Sequence, residues 1–236
     1  MKFSVVTPAH NEEKFIGACL QSIQAAAKTS GHQVEMIVVL NRCSDQTETI
    51  ARHHGAVIVK EDEKNIARVR NTGAKVATGD VIVTLDADSR MDANTFIELE
   101  RLLKSGKFVG GGARVKPERW SIGIFMSLLS IAPYVIAKGV SVGMFWCYRK
   151  DFEAIHGFDE SMVSLEDADF GQRLKKLGAT RGLSYGTARR VPIVTSCRKF
   201  DKFGDWYLFL NPRLVHRIFK GTDRMAADSF YYDVNR

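Results

Sequence analysis

The chain is poor in features that would tie it to a disulfide, metal-knuckle or membrane-spanning class. Its four cysteines, at 19, 43, 147 and 197, are far apart and form no C-x-x-C pair. That excludes a thioredoxin-type redox pair and a compact structural zinc site, and scattered thiols suit a reducing compartment. Five prolines in 236 residues leave no Pro-rich linker. Ser121–Ala137 runs 17 residues without a charge, but Pro133 interrupts it and a spanning helix needs ~20. A buried helix or one lying in a membrane interface is expected there instead. The first residues enter a strand-like KFSVVTP with no charged segment ahead of an apolar one, so no secretory leader is expected. There are no repeats and no low-complexity tracts. What remains is one globular domain, 45% hydrophobic and 26% charged, long enough to bury a full core.

The net charge of +7 is unevenly spread. Residues 181–236 carry 11 Lys/Arg against 5 Asp/Glu, and residues 1–180 carry 23 against 22. The last quarter is a basic, aromatic-rich tail, which suits an anionic partner or an anionic membrane surface. Nothing points to nucleic acid.

Apolar periodicity predicts alternating strands and helices. Strands are expected at Lys2–Thr7, ended by Pro8, at Val34–Leu40, Ala56–Val59 and Val81–Leu85. Between them Ile16, Cys19, Leu20, Ile23 and Ala27 mark a helix capped by Asn11. Ser44 and Asp45 open a short helix closed by Gly55, and Ile66–Ala77 form another. Asp92 caps a helix through Leu103, stopped by Gly106. Later come strands at Ser141–Tyr148 and Val191–Thr195, a helix over Glu166–Leu177 stopped by Gly178, and an amphipathic helix over Lys202–Phe219 kinked at Pro212. Such alternation implies right-handed crossovers and a parallel sheet. The topology gathers Pro8–Glu12, Asn41–Asp45 and Asp86–Asp88 at one sheet edge, where open α/β sheets bind ligands.

The stretch VIVTLDADS, Val81–Ser89, is a buried strand that ends in two carboxylates. Asp86 and Asp88 offer hard oxygen donors for Mg²⁺ or Mn²⁺. A second D-x-D, Asp167-Ala168-Asp169, lies in a helical segment. By the motif alone neither copy is distinguished from a polar turn or a helix start.

Five stretches in order resemble the family 2 glycosyltransferases: VVTPAHNEEKFI, NRCSDQTETIA, ARVRNTGAKVATGDVIVTLDADS, FWCYRKDFEAIHGFDES and LEDADFGQRLKKLG. The resemblance covers about Lys2 to Gly178. It implies an α/β fold of GT-A type: a Rossmann-like, mostly parallel central sheet flanked by helices, with a smaller acceptor-side half. The single catalytic domain then divides into a nucleotide-sugar-binding half (1–112) and an acceptor-binding half (113–236). By the same resemblance Pro8, His10, Asn11, Glu12, Asn41, Asp45, Arg70, Asp86 and Ala87 bind the nucleotide sugar. Asp88, with Asp86, holds Mn²⁺ or Mg²⁺. Asp167 is the catalytic base beside Glu166. Gly143–Trp146 and Gly157-Phe158-Asp159 shape the pocket. His216 stands where relatives supply a further metal ligand.

The implied reaction moves a hexose from a nucleoside-diphosphate sugar, UDP favoured over GDP, to an acceptor hydroxyl. A cation at the diphosphate neutralises the leaving group, Arg70 adds a second positive charge, and a carboxylate takes the acceptor proton. One base and no second nucleophilic carboxylate favour inversion. The chain departs from the pattern at Leu40-Asn41, where many relatives carry two aspartates. It also lacks the Q-x-x-R-W stretch of processive synthases, which favours single transfers. The expected setting is the cytoplasm, at the inner face of a membrane, with a lipid-linked or anionic acceptor. Alternatives are a non-catalytic nucleotide- or membrane-binding domain of the same fold, a D-x-D phosphatase and a nucleotidyltransferase.

Overall fold

The structure is a computed structural model that describes residues 1–162 and 165–220. Residues 221–236, the end of the basic tail, lie outside the described residues. The order of elements is β1 (Lys2–Ala9), α1 (Ile16–Ser30), β2 (Gln33–Leu40), α2 (Thr47–His53), β3 (Val57–Lys60), α3 (Ile66–Val76), β4 (Val81–Leu85), β5 (Ser89–Arg90) and α4 (Thr95–Lys104). The second half adds β6 (Phe108–Pro117), α5 (Ile122–Lys138), β7 (Met144–Tyr148), α6 (Arg149–Ala154), α7 (Glu166–Thr180), β8 (Ser184–Thr195), α8 (Arg198–Phe203), α9 (Tyr207–Leu210) and α10 (Pro212–Lys220).

One eight-stranded sheet runs in the order β3-β2-β1-β4-β7-β6-β8-β5. β1 pairs parallel with β2 and β4, and β2 with β3. β7 enters antiparallel between β4 and β6, and β8 pairs parallel with β6 and antiparallel with β5. The sheet is therefore mixed in its second half, and both halves of the chain share it. Its two faces carry two cores. One is built on Phe3, Leu20, Val83, Phe96 and Trp146, the other on Val6, Ile82, Phe145, Phe158 and Phe170. Burial on both faces is why β4 reads as an unbroken apolar run, every residue of it buried.

Several local expectations are corrected. Pro8 does not end β1, which pairs with β2 through Ala9. Pairing with β4 stops at Val6, so Pro8 sits where one side of the strand has no ladder to break. Asn11 does not cap α1: it is left-handed, at φ 52°, and Phe15 holds the cap position. Asp92 does not cap α4 either; Asn94 stands at that position while Asp92 accepts its N–H at 2.8 Å. Gly178 lies inside α7, because a side chain there would meet Val109 Cγ1 at 2.8 Å; it is a close-packing glycine, not a stop. β8 begins at Ser184, seven residues before its apolar core at Val191. The helix expected over 202–219 is three short ones, and Pro212 opens the last, where its missing N–H costs nothing.

Candidate active site

The first and second loops are stitched to each other before any ligand arrives. His10 Nδ1 lies 2.6 Å from the Asn41 carbonyl, and the Ser44 N–H donates to Asn11 Oδ1 at 2.8 Å. The Glu12 N–H donates to Thr47 Oγ1 at 2.8 Å, and the Glu13 N–H to Asp45 Oδ2 at 3.0 Å. Asp45 also accepts from the Thr47 N–H and hydroxyl. Burial raises the Asp45 carboxyl, but these hydrogen bonds, the Thr47 hydroxyl foremost, outweigh it and hold it below its usual range. Asn41 is buried and donates both amide hydrogens, to the carbonyls of Glu61 at 2.6 Å and Glu63 at 2.7 Å. Its side chain therefore holds the loop after β3, and Asp45 clamps the start of α2. Pro8 and Ala87 are buried in the frame.

The carboxylates expected on opposite sides of the reaction meet at one guanidinium. Arg70, on α3 and only 5% exposed, donates through Nη2 to Asp86 Oδ1 at 3.0 Å. Through Nη1 it donates to Asp167 Oδ1 at 2.7 Å and Glu166 Oε1 at 3.0 Å. Its guanidinium lies 5.1 Å from the centroid of the Phe158 ring. Asp86 comes from the end of β4, Glu166 and Asp167 from the first turn of α7, 80 residues apart. Burial drives the Asp167 carboxyl up to about 7; Glu166 and Asp86 add to this and Arg70 opposes it. Asp167 is still 28% exposed along its side chain, against 12% for Glu166, so it is the member of the pair open to the cleft.

Asp88 faces a second set of groups that the sequence pattern did not single out. The Ser196 hydroxyl donates to Asp88 Oδ2 at 3.0 Å, and the Ser196 N–H to the Asp88 carbonyl at 3.0 Å. Arg198 bridges Asp88 Oδ2 at 3.1 Å and Glu12 Oε2 at 2.6 Å and lies over the Phe15 ring. Burial lowers the neighbouring Lys199 ammonium to about 8, Arg198 adding to this while Asp88, Asp86 and Glu12 oppose it. Pairing of β5 with the end of β8 delivers these residues. Locally Arg198-Lys199 looks no different from Arg189-Arg190 in the same basic quarter; only the strand pairing separates them.

The donor set around the D-x-D is two carboxylates. Among the described residues no three His, Cys, Asp or Glu side chains come together as a preformed metal site. Two hard oxygen groups without imidazole or thiolate suit Mg²⁺ or Mn²⁺ whose remaining positions come from phosphate oxygens and water. The chemistry of these two carboxylates fits a hard divalent cation. His216 does not stand with them: its Nδ1 is 3.4 Å from the Tyr134 hydroxyl, between α10 and α5.

Acidic groups at the carboxyl ends of β4 and β1, the buried Arg70 and the acidic start of α7 thus lie together at one edge of the sheet. The chain belongs to glycosyl transferase family 2: the family's model matches residues 4–137. Its fold is of GT-A type. An uncharacterized glycosyltransferase of Mycobacterium bovis is 32% identical over 111 residues, 47% of this chain and 48% of that protein. The chain thus spans about half the length of that relative. Among solved structures, S. aureus TarS (residues 1–349) in complex with UDP-GlcNAc superposes with a TM-score of 0.56 at 19% identity, covering 74% of this chain and 53% of that one. Glucosyl-3-phosphoglycerate synthase from Mycobacterium tuberculosis, in complex with Mn²⁺, UDP and phosphoglyceric acid, also gives 0.56, at 17% identity over 94% and 79%.

Proposed function

We propose that the chain transfers a hexose from a nucleoside-diphosphate sugar to an acceptor hydroxyl, with inversion and one transfer per encounter. The observation that carries this reading is the Arg70 bridge. One buried guanidinium joins Asp86, on the donor side, to Glu166 and Asp167, on the acceptor side. The leaving group and the nucleophile are then handled within one cleft, a few ångströms apart. Family membership argues against the phosphatase and nucleotidyltransferase alternatives.

Asp167 is the base. It is the more exposed carboxylate of its pair, and a carboxyl raised to about 7 is better matched to taking an alcohol proton near neutral pH than an ordinary aspartate. Arg70 holds it in place through Nη1 at 2.7 Å. A single base facing the acceptor supports direct displacement. At the other end Asp88 and Asp86 would hold Mn²⁺ or Mg²⁺, which when bound supplies neutralisation of the charge growing on the departing diphosphate. Arg198 and Lys199 add fixed positive charge beside it. A guanidinium that pairs with carboxylates in the free protein can pair with phosphate oxygens through the same fork. His10, Asn11 and Glu12 line the loop that meets the nucleotide, and the UDP complexes of the two similar structures support a UDP-sugar. The acceptor we assign to the anionic or lipid-linked class, met at the cytoplasmic face of a membrane, on the strength of the basic last quarter.

Calorimetric titration with UDP and with GDP in the presence of Mn²⁺ tests the donor side. UDP should bind to the wild type, and Asp88→Ala should lose that binding. Undiminished affinity in the variant would overturn the metal assignment. A screen of UDP- and GDP-sugars for released nucleoside diphosphate then identifies the donor.

A further inference from the structure

Eight of the twelve large hydrophobic side chains exposed among the described residues belong to two segments, 120–136 and 206–210. On α5 the exposed apolar positions are Ile122, Phe125, Leu129, Pro133, Ile136 and Ala137. Their three- and four-residue spacing puts them on one stripe of the helix, with Ile122 and Ile136, at its ends, 76% and 74% exposed. The opposite face is already used. The Ser127 hydroxyl donates to the Asp205 carbonyl at 2.7 Å and takes the Phe209 N–H at 3.3 Å. α9, packed on that face, brings exposed Trp206, Phe209 and Leu210 of its own, and Trp120 precedes α5.

We infer that this exposed stripe of α5 seats on an anionic phospholipid bilayer, lying in its interface. The length of α5 argues for lying rather than crossing: 17 residues span about 26 Å at 1.5 Å per residue, and the side away from the stripe is packed against α9. No helix among the described residues is long and apolar enough to cross. Charge argues for the occupant. α5 contains no acidic residue, and α10, packed against α5 and α9, carries Arg213 and Arg217 with no acid. An apolar stripe on a helix without acids, a tryptophan just ahead of it and a basic helix packed on the same α5 match an interface of acyl chains under anionic headgroups. A second copy of the chain would set its own α10 cations against these. The face is coupled to the candidate active site. Arg119 is pinned to Asp201 of α8 and to Asp205 before α9, and α8 begins at Arg198, the residue that holds Asp88 and Glu12. The link from this face therefore runs through α8 to Asp88 and Glu12, on the donor side of the site.

The test is flotation of the 236-residue chain with vesicles of phosphatidylcholine alone and with about one third phosphatidylglycerol. We expect flotation with the anionic vesicles, weakened by salt, and little with the neutral ones. Replacing Ile122, Phe125 and Leu129 together with Ser should lower partitioning by tenfold or more, from the apolar area withdrawn. Arg213→Glu should lower it by about fivefold or more. Because these side chains are exposed, both variants should keep the wild-type urea midpoint and UDP affinity. UDP binding therefore reports on the transferase reading separately. In the wild type, brominated lipid should quench Trp120, while buried Trp146 is spared. Absence of flotation, equal flotation with neutral vesicles, unchanged partitioning of the serine variant, or a dimer that the serine variant dissolves would each overturn the inference.

Discussion

Arg70→Met tests whether the carboxylates on the two sides of the cleft are held together by one cation. Methionine keeps much of the volume and the contact with Phe158 but removes the charge. In the wild type three carboxylates lie 2.7–3.0 Å from the guanidinium nitrogens. At such separations each attraction is about 5 kcal/mol at an effective dielectric constant near 20, opposed by the cost of burying Arg70. Breaking a buried ionic network by removing one partner costs about 3–5 kcal/mol net, because the partners stay behind uncompensated. The cost should depend on pH. At pH 8 an ionised Asp167 repels its neighbouring carboxylates in the variant; as pH falls through about 7 Asp167 takes a proton and its share of the repulsion disappears. Urea unfolding followed by circular dichroism, at about pH 8 and about pH 5, should show a loss of several kcal/mol at the higher pH and a clearly smaller one at the lower. A loss below about 1 kcal/mol, or one equal at both pH values, would refute the argument that Arg70 is the electrostatic centre of the site.

Asp167→Asn should keep UDP affinity and lose transfer by about 10²–10⁴-fold, the range for a general base. In the wild type kcat/KM should rise with pH through about 7, where Asp167 ionises; an acidic limb near pH 4 would refute the raised value. The stability sign is the reverse. A carboxyl whose folded pKa is raised stabilises the fold below its ordinary value near 3.8, and this contribution is lost as pH rises through about 7. The stability of Asp167→Asn relative to wild type should therefore increase between about pH 4 and pH 8. Gly73→Ala should destabilise by about 1–3 kcal/mol, since its Cβ would stand 2.4 Å from Val6 Cγ1 and 2.7 Å from Val39 Cγ2; denaturant melts check this. Asn41→Ala should loosen the loop after β3 at a cost of about 1–3 kcal/mol, with faster amide exchange over residues 61–65 as the readout.

The strands of the first half were legible to within a residue or two because burial on both faces writes an unbroken apolar run, as in Val81–Leu85. Helix starts were less legible. Asn11 and Asp92 have the composition of caps, but Asn11 serves the second loop and Asp92 a turn one step before its helix. Local chemistry fits either use. The second half was harder: β8 begins in a polar stretch, SYGTARR, that has no strand periodicity and is held by its long pairing with β6.

By itself the sequence determined the alternation of strands and helices, the carboxylates at the end of β4 and at the start of α7, and, by five ordered stretches, the family. These are properties of short windows, where periodicity, turn chemistry and motif spacing are written in neighbouring residues. Only the tertiary structure decided what those carboxylates face. Arg70 reaches Asp86 and Asp167 because α3, β4 and α7 converge. Arg198 reaches Asp88 because β5 pairs with the end of β8. The apolar residues of α5 form an exposed stripe because its other side is taken by α9. Each is a contact between residues distant in the chain, and the same side chains would read identically in sequence had the sheet been ordered differently.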